Sequence, residues 1–416
     1  MTDHVATRSR TRFAVTTKWR ALVVLSVAEL FAMALWFSAS AVGPELAVAW
    51  NLTPTQTGFL TSAVQLGFVV GALLSAVLTL SDTVQPRYLF AGSALAGAGI
   101  TVVLATAVDS ALPAILLRFL TGVALAGVYP PGMKVMAGWF EQGRGLAIGA
   151  LIGALTVGSA LPHLLRGVGG IGRPTLVLLA AAGLAALGGL LVLIVRPGPH
   201  QAPAAPFDPD AVRRILSDRG TLLANLGYFG HMWELYAVWT WIPAFLAASF
   251  ALSSDPLATP RVAAFVAFGT IAIGGVGALV AGVGADRFGR TTVTSASMVV
   301  SGSASLLAGA VFGSSLLVLV PFVLVWGFAI VADSAQFSAA VTELAEGSYV
   351  GSALTLQTAL GFLLTTVSIQ LVPRLVDLVG WRWAFAPLAL GPAVGTLAML
   401  RLRRLPEARR LAGGRG

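Results

Sequence analysis

Cysteine is absent from the 416 residues, which excludes a disulfide framework, a thiolate metal site and a cysteine nucleophile. Histidine is scarce: His4, His163, His200 and His231 are too scattered to form a ligand cluster by spacing, so neither a metal nor a cofactor is expected. Charge is short as well, at 10% of residues against roughly 25% in soluble domains. Water cannot be the main solvent of a chain that adds to this 57% hydrophobic residues and a mean hydropathy of +0.87. The motifs HExxH, GxSxG and a phosphate loop ending in Gly-Lys are all missing. One GxGxxG occurs, at Gly167, Gly169 and Gly172, but it lies between hydrophobic runs with no strand before it. An enzyme is therefore not the leading expectation. Nor does the net charge of +9 imply nucleic acid, because the basic residues sit at the termini and between apolar runs rather than on one face.

What is present is a succession of apolar runs, each long enough to cross a bilayer as a helix of about 20 residues. They fall near 20–42, 57–80, 88–108, 112–132, 144–165 and 174–195, then, after a proline-rich polar stretch, near 221–250, 261–284, 291–313, 315–339, 350–373 and 381–401. The expected fold is an all-α polytopic membrane protein with twelve transmembrane helices in two pseudo-symmetric six-helix bundles. Residues 1–20 read as a cytoplasmic tail, 21–195 as the first bundle, 196–220 as a cytoplasmic linker, 221–401 as the second bundle and 402–416 as a basic cytoplasmic tail.

Lysine and arginine set the orientation, since they resist translocation. With both termini on one side, that side holds Arg87, Lys134, Arg144, Arg196, Arg213, Arg214, Arg219, Arg287, Arg290 and the basic tails. The other side holds only Arg166, Arg173, Arg261, Arg374 and Arg382. Both termini are expected in the cytoplasm, with the chain in a bacterial inner membrane. The run from Ala21 to Val42 is longer than the 7–15 residues of a signal-peptide core, so it reads as the first span although its end carries SASA at 38–41.

The halves repeat. Gly71 stands eleven residues before Asp82, with Arg87 after it, and Gly275 stands eleven before Asp286, with Arg290 after it. The loop after the eighth run, with Gly282, Asp286, Arg287, Gly289 and Arg290, resembles the loop signature of the major facilitator superfamily, and Asp82 and Arg87 keep part of its first copy. RFLTGVALAGVYPPG, with Arg118 at the position of the family's intramembrane arginine, and GWRWAF at 380–385 extend the likeness. The fifth span departs from the family's antiporters, having Ala154 after Gly153 where they carry a Gly-Pro pair; Gly145, Gly149 and Gly153 still recur at every fourth position and permit close packing. LWFSASAVGPEL, YPPGMK and ADSAQFSAA are similar to the bacterial permeases labelled nitrate/nitrite or cyanate transporters. The second span nevertheless lacks the arginine that nitrate carriers use for the anion, and their glycine- and asparagine-rich signature is missing. The resemblance implies a secondary transporter working by alternating access. The partners expected are a small-molecule substrate, protons and the bilayer, with the protein acting as a monomer.

Ionisable groups inside spans are costly and usually face a cavity or one another. Glu234, with His231 one turn earlier, is the leading candidate for proton coupling, the alternative being a structural pair; Glu29 is a third candidate. Arg118 is expected either to bind an anionic substrate or to neutralise Glu29. Helical spacing puts Glu29, Met33, Trp36 and Ser40 on one face and Arg118, Gly122, Leu125 and Tyr129 on another, both looking into the centre. With Arg118, the residues Trp36, Tyr129, Tyr236, Trp241, Gln65 and Gln357 are candidates for the substrate cavity. Asp82, Arg87, Asp286, Arg287, Gly289 and Arg290 form a candidate latch, or else an ordinary solvated loop, and Asp333 and Gln336 a candidate gate. Small anion or carboxylate uptake with protons is the leading expectation; proton-linked efflux of an organic compound follows. A sensor or membrane-embedded enzyme is the remaining alternative.

Overall fold

The structure is a computed structural model that describes residues 3–78, 80–140, 144–200, 217–345 and 350–416, with no strand among them. Most of the linker expected over 196–220 lies outside the described residues, as do the side chains of Asp82 and Arg144 and any packing at Gly145.

Local chemistry marks where the helices begin. Span 1 is Asp3–Met33, continued by short helices at Ser38–Ala41 and Gly43–Trp50. Span 2, Pro54–Val77, opens on a capping box in which the Thr53 hydroxyl accepts from the Gln56 amide and the Gln56 side chain accepts from the Thr53 amide. Proline also starts span 3 (Pro86–Ala107), span 6 (Pro174–Leu191) and span 8 (Pro260–Phe288), where its missing N–H costs nothing. Span 4 is Ala111–Leu125 followed by Tyr129–Trp139, and span 5 is Arg144–Leu165. Span 7, Arg219–Ala251, is capped by the Asp218 carboxylate, 2.7 Å from the Thr221 amide. Span 9 is Arg290–Val311, span 10 is Leu316–Ala332 with Ser334–Leu344, and span 11 is Val350–Val379. Span 12 runs in pieces from Trp381 to Arg403. Ten of these are long and apolar enough to cross a membrane, and spans 1 and 7, of 31 and 33 residues, take the first place in each half.

Contacts repeat with a step of six. Span 1 packs on 5 and 6 as span 7 packs on 11 and 12; span 4 packs on 2 and 3 as span 10 packs on 8 and 9; span 3 packs on 6 as span 9 packs on 12. The halves meet where span 5 crosses span 8 and where span 11 crosses span 2, and these two contacts exchange under the same two-fold relation. Reciprocal glycines allow the tightest crossings. A methyl on Gly122 would come within 2.1 Å of the Val64 carbonyl and one on Gly327 within 1.8 Å of the Thr270 carbonyl, in spans 4 and 10 respectively. Between the halves, Gly153 meets Gly275 and Gly149 meets Leu279, so two of the three glycines spaced by four in span 5 pack against span 8.

Three spans are interrupted within their length, which straight-helix spacing did not anticipate. Span 1 unwinds over residues 34–37. Span 4 breaks over 126–128, because Pro130 and Pro131 lack the N–H groups that would bond back to Ala126 and Gly127, and their rings crowd those carbonyls. Span 10 breaks at Asp333.

Candidate functional site

Two cavities lie on the axis between the halves. The larger, about 680 Å³, sits on the side of the basic tails and is walled by Phe68, Ala72 and Ser75 of span 2, Tyr129 and Met133 of span 4, and Ile148 and Ile152 of span 5. From the other half it is walled by Ala278 and Gly282 of span 8, Gln336, Ser338 and Thr342 of span 10, and Leu354, Thr355 and Thr358 of span 11. The smaller, about 280 Å³, lies on the opposite side among Ser40, Pro44, Thr57, Thr61, Thr240, Trp241, Pro373 and Trp381.

A layer of aromatic rings separates them. Trp36 lies 5.2 Å from Phe68, 5.4 Å from Phe362 and 5.9 Å from Tyr236; Phe68 and Phe362 are 4.7 Å apart, centroid to centroid. Phe37 and Trp239 extend the layer, at 5.8 Å from each other. Because Trp36 and Phe68 belong to the first half and Tyr236 and Phe362 to the second, the layer is a seam as well as a floor. Pairs of this geometry contribute about 0.5–1.5 kcal/mol each beyond burial. Further toward the smaller cavity, Gln370 of span 11 donates to the Ser62 hydroxyl at 3.2 Å, with Gly58 leaving room for its amide. The molecule is therefore closed on that side and hollow on the side of the tails.

The broken spans redirect the expected faces. Arg118 is fully buried and makes four hydrogen bonds: its guanidinium donates to the Leu60 carbonyl at 3.0 Å, the Leu35 carbonyl at 2.9 Å, the Ser38 hydroxyl at 3.2 Å and the Trp36 carbonyl. It satisfies carbonyls freed where span 1 unwinds. That corrects both expectations for Arg118: it lines neither cavity and makes no ion pair with Glu29. Glu29 is fully buried with neither carboxylate oxygen partnered, packed toward Gly132, one turn beyond the cavity-lining Tyr129. Met33, still inside the helix, shares its face, but Trp36 and Ser40 do not continue it, since the unwound turn over 34–37 places Trp36 in the aromatic layer and Ser40 at the smaller cavity. Tyr129 likewise lies beyond a break and does not share a face with Arg118.

In the second half, His231 and Glu234 do not act on a common partner. His231 Nδ1 lies 2.8 Å from Asp333 Oδ1 at the break of span 10, close enough for an ion pair, and both side chains are buried. Glu234 accepts from Ser305 at 2.5 Å and from the Trp326 indole at 3.1 Å, tying span 7 to spans 9 and 10. None of these three carboxylate or imidazole groups lines either cavity. Trp241 lines the smaller cavity and donates to the Ile369 carbonyl at 2.9 Å; Gln357 donates to Asn225 at 3.0 Å and links span 11 to span 7. Gln336 lines the larger cavity, and Gln65 is buried with both amide atoms unpartnered. The sequence reading missed Phe68, Trp239 and Phe362. The available signal was register: Phe68 stands seven residues after Thr61, a spacing of two turns that keeps both on one helix face.

The sequence matches the model of the Major Facilitator Superfamily over residues 25–275. The chain belongs to this superfamily. Among solved structures, a variant of the nucleoside transporter NupG superposes with a TM-score of 0.70 at 17% identity, covering 92% of this chain and 99% of that one. A bacterial homolog of the human lysosomal transporter Spinster, in an inward-facing and unoccupied conformation, superposes with a TM-score of 0.71 at 15% identity, covering 94% and 99%. No curated protein matches the sequence significantly. At these identities the likeness shows the fold alone; membership of the superfamily is what supports a secondary transporter working by alternating access.

In the second copy of the loop signature, the contacts among the described residues stay within the second half. Arg290 makes two bonds to Glu343, at 2.8 and 2.6 Å, and a third to Gln336 at 2.7 Å, all within the second half; Asp286 is 3.8 Å away. Arg287 stacks over the neighbouring Phe288 ring. Gly289, at φ 91°, turns the chain between spans 8 and 9, and the C-terminal segment docks on it: the Thr291 amide donates to the Gly416 carbonyl at 3.2 Å, Arg415 to the Asp286 carbonyl, and the Ala412 amide to Glu343 at 3.0 Å. In the first copy, Arg87 donates to neighbours in its own loop, Gln85 at 3.3 Å and Tyr88 at 2.9 Å.

Proposed function

We propose that this protein is a proton-linked transporter of an uncharged or weakly polar organic solute with a flat ring. The observation that carries the reading is the larger cavity: about 680 Å³, within the range of drug-sized sites, walled mainly by apolar, Ser, Thr and Tyr side chains, with Gln336 and the Asp286, Arg290 and Glu343 charges also lining it, and bounded by the Phe68 ring of the aromatic layer. A small anion would need a free cationic group there. Among the described lining residues the one cation is Arg290, and Glu343 already holds it in a two-point pair. This favours the organic solute over the nitrate-like anion or carboxylate suggested by local sequence likeness, and the fold shared with a nucleoside transporter is compatible with it.

Glu29 is the better-placed coupling residue. A buried carboxyl group with no counter-charge can change protonation state without breaking an ion pair, and it lies beside the helix that carries Tyr129 into the cavity. Glu234 instead anchors three spans. The excess of lysine and arginine on the cavity side supports a cytoplasmic location for that face and both termini, in a bacterial inner membrane. The test is uptake and efflux in proteoliposomes loaded with a pH indicator, adding nitrate, cyanate, small carboxylates, lipophilic cations and neutral ring compounds separately. Proton movement driven by a neutral ring compound is the expected result. Proton movement driven by nitrate or a carboxylate alone would restore the anion reading.

A further inference from the structure

The aromatic layer contains polar groups with no hydrogen-bond partner among the described residues. Gln65 is 0% exposed, and neither its amide nitrogen nor its amide oxygen has a partner; the indole N–H of Trp36, 1% exposed, has none either. Each such group costs about 1–3 kcal/mol in a protein interior, and a leucine at 65 would avoid the cost. Register explains what Gln65 is near. Residues 61, 65, 68 and 72 lie on one face of span 2, where Thr61 borders the smaller cavity and Phe68 and Ala72 border the larger. Gln65 therefore sits inside the barrier, one turn from the Phe68 ring that packs on Trp36.

Resting on the reading of a flat organic solute, we propose that Gln65 and the Trp36 indole form the recognition subsite for a lactam edge, a ring N–H beside a ring carbonyl. A primary amide offers one donor and one acceptor side by side, which is the complement of that edge and makes a two-point pair with it, as glutamine does with adenine. The Trp36 N–H supplies a further donor for a second ring carbonyl, and the Trp36, Phe68, Tyr236 and Phe362 rings provide faces on which a planar ring stacks. The subsite is closed in the present conformation and opens when the two halves part at the seam. Discrimination follows from its buried polarity: a solute lacking the N–H leaves the Gln65 oxygen unpaired and is rejected.

The experiment measures initial uptake in proteoliposomes of three lactam rings, of the pyrimidine-2,4-dione, purin-6-one and isoquinolin-1-one types, each against its N-methyl derivative. The wild-type protein should favour at least one lactam over its N-methyl form by about 10-fold or more in kcat/KM. Gln65→Leu should bring that ratio to about one while still carrying the N-methyl form, which shows that the variant is folded; Gln65→Asn, keeping the amide, should retain part of the preference. Equal transport of lactam and N-methyl forms by the wild type would overturn the subsite while leaving the ring-solute reading intact, as would an unchanged preference in Gln65→Leu. No uptake of any ring compound by the wild type would overturn both.

Discussion

At the scale of single residues, the two buried charges of the first half divide their work. Arg118 closes the hydrogen-bonding of a broken helix, with acceptors at Leu35, Trp36, Ser38 and Leu60. Lysine has no planar fork and cannot reach that set. Arg118→Lys should lower stability by on the order of 2–4 kcal/mol, seen as a lower thermal midpoint in detergent, and a normal midpoint would show that the guanidinium is not structural. Glu29 has no hydrogen-bond partner among the described residues, so Glu29→Gln should fold normally, keep solute counterflow and lose solute-driven proton movement. Glu234→Gln should do the reverse, losing stability through its bonds to Ser305 and Trp326 while keeping the coupling ratio. The sequence marked Glu29, Arg118, His231, Glu234 and Asp333 as buried ionisable groups, because charge within apolar runs is conspicuous. Their partners were not legible. His231 reaches Asp333, about a hundred positions away, and Glu234 reaches Ser305 and Trp326 rather than its neighbour on the same face.

At the scale of elements, the breaks in spans 1, 4 and 10 decide which side chains meet. Helical spacing places residues well along an unbroken span, as with Thr61, Gln65 and Phe68, and fails across an interruption such as 126–128, where a face is re-aimed. The prolines at 130 and 131 announced one break; the unwinding at 34–37 has no proline inside it and is held by Arg118 from another span. The C-terminal element is a second case of long-range determination. Gly289 serves both its own positive φ and the docking of the tail, since a methyl there would lie 2.3 Å from the Gly416 carbonyl. Gly289→Ala should free the tail, read as faster proteolysis after Leu411. Ala412, at φ 48°, adopts a backbone conformation that costs an L-residue about 1–2 kcal/mol. Ala412→Gly should therefore raise the thermal midpoint slightly, whereas Ala412→Pro, which removes the N–H that Glu343 accepts, should lower it.

For the whole molecule, the duplication visible at Gly71, Asp82 and Arg87 and again at Gly275, Asp286 and Arg290 extends to every principal helix contact, and the two seams between halves, spans 5 with 8 and 11 with 2, exchange under it. Such an arrangement has two equivalent ways to rock, and the structure shows one: hollow toward the tails, closed by the aromatic layer and the Gln370–Ser62 bond. The spans and the halves were legible because hydropathy and repetition are properties of the sequence itself. The conformation and the seam were not, because they depend on which rings from different halves meet. The natural absence of cysteine makes the decisive experiment direct. Spin-label pairs at Ala76 and Thr355, across the larger cavity, and at Ala47 and Val376, across the smaller, would be measured by pulsed electron paramagnetic resonance with and without a transported solute. Alternating access predicts opposite changes, the first distance shortening as the second lengthens. Transport with both distances fixed, or with both changing in the same direction, would contradict it.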